Sequence, residues 1–189
     1  MKLRYRTGTK IGDAEARARR KAYMAEHRDC WCLLPRSGGG VVLCLLARPV
    51  CHHLTGGRGL DEYEQPANYY PLGDRPGHDH HKGWAHGQDA VWQMTQREAR
   101  LWCFALKLGI GEVTVEQAAQ LMRGRGLLWW RPEMGAEWTL ADELGKRAAY
   151  LWRNLVNKDS LKKACQRGGI WAKLMDVDGA SGLAAKSRA

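Results

Sequence analysis

Six of the chain's seven histidines fall in one short stretch: His52, His53, His78, His80, His81 and His86. Imidazole is the side chain whose unperturbed titration lies nearest neutral pH, and in its neutral form it is a common ligand of divalent metals. A cluster of this kind therefore points to proton transfer, cation binding or both. The plain alternative is a solvated histidine-rich loop. Against that alternative stands the order of the surrounding residues. A His pair follows a strand-like run, Asn68 precedes an apolar pair, and a second His group closes on a turn of helix.

The elements that must position these residues can be read from pattern. Cys30 to Leu34 and Val41 to Ala47 are β-prone runs separated by a Gly-rich loop after Pro35, which predicts a hairpin. Residues Leu54 to Gly77 are rich in Gly, Pro, Asp and Asn and read as irregular loop. Upstream, Asp13 to His27 has strong helix formers with Asp13 as N-cap, and it lacks a broad apolar face. It reads as a solvated helix or one that lies on DNA. Downstream, helices dominate. Thr95 and Thr114 each open a capping-box pattern, for helices ending near Gly109 and Gly124. A third helix is predicted from about Thr139 to Asn157, with Leu140, Leu144, Ala148, Leu151, Trp152 and Leu155 along one side. A short one follows around Leu161 to Gln166.

The formal net charge is +10, and it is unevenly spread. Residues 1–50 carry 11 basic and 4 acidic side chains, residues 51–93 carry 3 and 6, and residues 94–189 carry 16 and 10. An acidic, His-rich centre between basic flanks suits a cation site facing a phosphate backbone; solubility alone is the competing reason for a basic chain. Six cysteines are scattered without the spacing of a disulfide framework. They read as reduced thiols serving as small apolar residues, with a structural zinc from Cys30, Cys32 and Cys44 or Cys51 as the alternative. No apolar run reaches membrane-spanning length and residues 1–29 hold no signal-peptide core, so the expectation is a cytoplasmic protein without a membrane partner.

Three stretches together carry a resemblance: Cys51-His52-His53-Leu54-Thr55-Gly56-Gly57, then Asn68-Tyr69-Tyr70-Pro71-Leu72, then His80-His81-Lys82-Gly83-Trp84-Ala85-His86-Gly87. This order resembles the HNH, or His-Me finger, nucleases, and looks closest to phage recombination nucleases of the Ref type. The resemblance implies that His52 is a metal ligand, that His53 is the general base, and that Asn68 holds that base or its loop. His81 and His86 follow as further ligands, with His80 and His78 next. Many relatives carry a C-x-x-C frame for a structural zinc where this chain has Gly73 and Gly77, so that zinc is absent here or rebuilt from other ligands. The implied cofactor is Mg²⁺ or Mn²⁺ for catalysis, with Zn²⁺ an option. The implied partners are double- or single-stranded DNA and a recombinase filament.

The chemistry accounts for those residue types. Phosphodiester hydrolysis needs an activated water and a Lewis acid at the phosphate. Neighbours on a strand face opposite sides, so His52 and His53 divide the two tasks. Asp79 is either a partner of a ligand histidine or a solvated charge. Arg123, Arg125, Trp129, Trp130 and Arg131 mix basic and aromatic groups suited to base stacking, with core packing as the alternative. Asp142, Glu143, Asp176 and Asp178 read as surface charges or caps.

The expectation is an α+β chain: a basic arm at 1–28, a ββα-metal core with a long irregular loop at 29–93, a helical region at 94–175 and a tail at 176–189. Its expected function is a metal-dependent DNA endonuclease or nickase linked to phage recombination. The rivals are a non-catalytic, metal-stabilised DNA-binding module and a recombination-protein partner with a degenerate nuclease core.

Overall fold

The computed structural model describes residues 9–55, 59–75, 78–85, 96–124 and 140–167. Among these the chain is mixed α+β, with three two-stranded antiparallel ladders and five α-helices. The expected hairpin is present: β1 (Leu33–Pro35) pairs with β2 (Val41–Leu43). A second pair joins β3 (Val50–His53) to β4 (Tyr69–Leu72), with His52 opposite Tyr70 and His53 opposite Tyr69. A third, β5 (Asp74–Arg75) with β6 (His78–Asp79), leads into a π-helical turn, His81–Ala85.

The stretch 54–77 thus departs from its reading as irregular loop. It holds a 3-10 turn, Pro66–Asn68, and all of β4. Tyr69 and Tyr70 are strong strand formers, and both are fully buried once paired with β3. Pro71 interrupts nothing there, because its carbonyl accepts from Trp31 N–H at 2.9 Å and Tyr70 OH donates to Trp31 O at 2.8 Å. Those two bonds fasten the first hairpin alongside β4.

The helix α1 (Asp13–Glu26) begins one residue earlier than its predicted cap: Gly12 is the N-cap and Asp13 lies in the first turn, beside the positive end of the helix dipole. Nor is this helix a free basic arm. Ala16 and Tyr23, seven residues apart, share one buried face, and Arg19 and Arg20 lie between them. Arg19 pairs with Asp61 at 2.7 Å and Arg20 with Glu64 at 2.6 Å. Two buried residues were too few to show as an apolar stripe, and the arginines on that face are spent on the protein itself.

Four further helices follow: α2 (Gln96–Gly109), α3 (Val115–Gly124), α4 (Leu140–Asn154) and α5 (Lys158–Arg167). The Thr114 capping box is formed, with Gln117 N–H donating to Thr114 Oγ1 and Thr114 N–H to Gln117 Oε1. Thr95 lies outside the described residues. The α4 helix stops at Asn154 rather than Asn157, because the following residues pair with β2 instead. Val156 N–H donates to Val41 O, and the Asn157 amide exchanges two hydrogen bonds with the Leu43 backbone. Gly40 makes room for this: at φ +84°, an added Cβ would sit 2.9 Å from Asn154 O.

One core serves hairpins and helices alike. Trp31, Leu43, Leu54, Tyr70 and Leu72 from the β portion pack with Phe104, Leu106, Met122, Leu144, Leu151 and Leu161 from the helices and with Ile110 just after α2. Each large apolar side chain buried there contributes about 1.5–3 kcal/mol. At the seam Lys107 is fully buried. Its Nζ donates to Pro66 O and Tyr69 O, both at 2.6 Å, and lies 3.3 Å from Glu112. No helix among the described residues is long and apolar enough to cross a membrane.

Candidate metal centre and histidine site

Strand alternation places His52 and His53 on opposite faces of β3, as their adjacency predicts. On one face the buried His52 ring meets the His81 ring edge-to-face, 5.0 Å between centroids. His81 reaches that point because its N–H donates to Gly73 O at 2.8 Å, which anchors the π-helical turn to the end of β4. Of the two readings of Asp79 the structure supports the solvated charge: its carboxylate is partly exposed, accepts from Lys82 N–H at 2.9 Å and caps the turn. The nearer carboxylate is Asp74, whose Oδ2 lies 3.9 Å from His81 Nδ1.

On the other face His53 stacks edge-on against Tyr69, its cross-strand partner, and its Nε2 lies 3.2 Å from Glu64 Oε2. The Glu64 side chain is fully buried. It accepts from Gly59 N–H at 2.8 Å, from Arg20 at 2.6 Å and from Tyr69 OH at 2.8 Å. Burial by itself would raise this carboxyl, but the donors at Gly59 and Tyr69 together with His53 outweigh it and carry its pKa down to about 2. It is therefore a buried anion at neutral pH.

Asn68 is also fully buried, and it clamps the loop. Its Oδ1 accepts from both Thr55 N–H and Thr55 Oγ1 at 3.0 Å, and its Nδ2 donates to Tyr63 O at 2.9 Å. Of the two tasks the resemblance allows it, these contacts are with the loop.

A second cluster combines Cys30, Cys44 and His80. Their ligand atoms lie within 4.8 Å of one another, and Cys30 Sγ is 3.4 Å from His80 Nδ1. This group could hold a metal ion: two thiols and an imidazole are a zinc-type donor set. The backbone fits that use. Gly73 N–H points at Cys30 Sγ at 3.1 Å, and Leu46 N–H at Cys44 Sγ at 3.5 Å. The latter depends on Leu45 in the left-handed region, φ 53°, which costs a non-glycine residue about 1–2 kcal/mol. Without a cation the neighbouring Cys44 sulfur and burial push the Cys30 thiol up, while the Cys32 and Gly73 amides pull the other way.

The alternative zinc set is thus corrected in part. Cys32 and Cys51 are outside the group, and His80 takes the place. Burial holds the Cys51 thiol up at about 12, against the pull of Arg20 and Lys107. Cys165 is pushed to about 12 by burial. Both suit the role of small apolar side chains. The structure places His80 in the group with Cys30 and Cys44, its Nδ1 facing the Cys30 sulfur, while His81 is the histidine that meets His52. His86, Arg125, Trp129, Trp130, Arg131, Asp176 and Asp178 lie outside the described residues, as do the side chains of His78 and Arg123.

Glu64, Asp74 and Lys107 escape a sequence reading. Glu64 is 11 residues from His53 and meets it only because β3 and β4 pair; no spacing rule flags it. Comparison with family models, curated proteins and solved structures finds no match to this chain.

Proposed function

We propose that this chain is a metal-dependent DNA endonuclease or nickase of the ββα-metal kind, with Cys30, Cys44 and His80 as a separate structural zinc site. The observation that carries the reading is the pairing on β3. His52 meets His81 from the following turn, while the adjacent His53 meets a buried carboxylate. The order strand, strand, helical turn supports it, as do the basic flanks of an acidic centre. His52 and His81 are the residues that would hold the catalytic Mg²⁺ or Mn²⁺, with Asp74 alongside. A cation bound there supplies Lewis acidity at the scissile phosphate. His53 takes a proton from the attacking water, and Asn68 fixes the loop that returns the chain from His53 to β4. The substrate is DNA, and a recombinase filament is the partner that would present it.

The test is nicking of supercoiled plasmid and cleavage of single strands, with and without a recombinase filament, by chelated protein resupplied with Mg²⁺, Mn²⁺ or Zn²⁺. Loss of a general base costs about 10²–10⁴-fold, so His53→Ala should keep metal and DNA affinity while its cleavage rate drops by that factor. Cleavage by His53→Ala at the parental rate refutes the mechanism. The cysteine cluster favours a second reading, a metal-stabilised module that binds DNA without cutting it. That reading predicts DNA binding with no cleavage by the parent under any of these conditions.

A further inference from the structure

We propose that Glu64 is the positioning residue for His53: its buried carboxylate selects the Nε2–H tautomer of the imidazole and so puts the basic lone pair on Nδ1. The inference rests on the nuclease reading for its catalytic consequence, though not for the tautomer itself.

The argument is one of donors and acceptors. Each Glu64 oxygen already takes protein donors, Oε1 from Gly59 N–H and Arg20, and Oε2 from Tyr69 OH. Oε2 is also the atom facing His53 Nε2 at 3.2 Å. An ionised carboxylate has lone pairs and no proton to give. The ring nitrogen that faces it is therefore favourably placed only when it carries hydrogen. A neutral imidazole has one N–H, so fixing it at Nε2 leaves Nδ1 as the acceptor. At 3.2 Å the contact is within ion-pair reach without being drawn up as a straight hydrogen bond, which is common at catalytic pairs before substrate binds.

The surroundings hold the carboxylate from three sides. Arg20 comes from α1, Gly59 from the loop, and Tyr69 from the strand opposite His53. Three separate elements thus converge on one buried anion next to a half-buried ring. A carboxylate needed only to neutralise Arg20 could have stayed at the surface, as Asp61 does for Arg19, with half its side chain exposed. Glu64 lies instead beneath the histidine, where it sets the ring's orientation and stabilises the imidazolium that forms when His53 takes a proton. The logic is that of a carboxylate behind a catalytic histidine on any fold, where the amide replacement leaves the geometry intact and the tautomer wrong.

The experiment is ¹⁵N NMR of histidine-labelled, metal-loaded protein at about pH 8, where an unperturbed imidazole is neutral. Ring nitrogen shifts report the tautomer directly, and His53 is assigned by the signal lost in His53→Ala. His53 in the parent should be Nε2–H. In Glu64→Gln the amide can donate toward Nε2, so the signal should move to the Nδ1–H pattern. On the plasmid substrate kcat for Glu64→Gln should fall about 10²–10⁴-fold with KM and metal content unchanged. Glu64→Asp, which keeps the charge, should restore the Nε2–H pattern and part of the rate. An Nδ1–H tautomer in the parent overturns the inference even if Glu64→Gln does not fold, and so does an unchanged tautomer in Glu64→Gln. A tautomer that switches as stated supports the role of Glu64. Should the parent then cut nothing, the nuclease reading alone fails.

Discussion

Replacing Lys107 by Met tests whether the helices hold the histidine strand in place. The Lys107 ammonium is enclosed by Pro66 O, Tyr69 O, Tyr23 OH and Glu112, and it lies over the Tyr23 ring. The two carbonyls flank Asn68, so this one side chain of α2 grips the segment that turns from the loop into β4. Burial lowers the Lys107 pKa while Glu112 pulls it back up, and Glu112, which burial would raise, is lowered by Lys107 and His27. Met keeps the apolar stem. It leaves Glu112 with its hydrogen bond to His27 and removes the donor from both carbonyls. Breaking a buried pair costs about 3–5 kcal/mol, and an orphaned buried acceptor about 1–3 kcal/mol. Relief of the lysine's own desolvation offsets part of this, so the net loss should be about 3–5 kcal/mol by urea unfolding. The double variant Lys107→Met with Glu112→Gln removes the stranded charge and should recover at least about 1 kcal/mol through their coupling. A single variant within about 0.5 kcal/mol of the parent, or strictly additive effects, would refute the reasoning.

Cys44→Ser should bind less zinc than the parent by one site, and chelation should lower the melting temperature of the parent much more than that of the variant. A ligand at a thousandfold excess over its Kd stabilises by about 4 kcal/mol, so the difference is easily measured by thermal denaturation with metal analysis. Acid should weaken the fold through Glu64. Its pKa is about 2 folded against 4.5 unperturbed, so its contribution is fully present above about pH 4.5 and is lost as pH falls toward 2. That amounts to about 3 kcal/mol, absent from the corresponding limb in Glu64→Gln, as stability against pH would show. DNA affinity should draw on the exposed cations of α1, Arg17 and Lys21, and not on Arg19 and Arg20, which are engaged with carboxylates. Removing both exposed charges should flatten the slope of log K against log salt by up to about 2 with the melting temperature unchanged; an unchanged slope places the DNA elsewhere.

Local signals carried the sequence reading a good distance. The first hairpin, the Thr114 cap and the helices at 96–124 and 140–167 follow from turn residues, capping patterns and apolar periodicity, which are local properties. The opposed faces of His52 and His53 follow from strand alternation in the same way. Strand β4 escapes a local reading because Pro66 before it, Pro71 within it and the Gly-rich run upstream look like loop, while what makes it a strand is its partner β3, 18 residues away at the His52–Tyr70 pair. The burial of Arg20 beside Glu64 was hidden for the same reason. A salt bridge between residues 44 apart leaves no trace in either neighbourhood.

The two histidines at the head of the turn make the division of labour physical. His80 and His81 are consecutive, yet one faces the sulfur of Cys30 and the other faces His52. Gly73 binds both sides of this arrangement, its N–H on Cys30 Sγ and its carbonyl on His81 N–H. A metal at the cysteine cluster would therefore fix the backbone on which His81 is carried, one peptide bond away. Cys30 and Cys44 are rooted beside the hairpin that Trp31 anchors in the core, so a metal there would tie the turn to the core. The orientation of the proposed catalytic ligand then depends on the structural site. Serine at Cys44 should disturb the His52–His81 pair while leaving the His53–Glu64 contact, which is held by α1 and β4, in place.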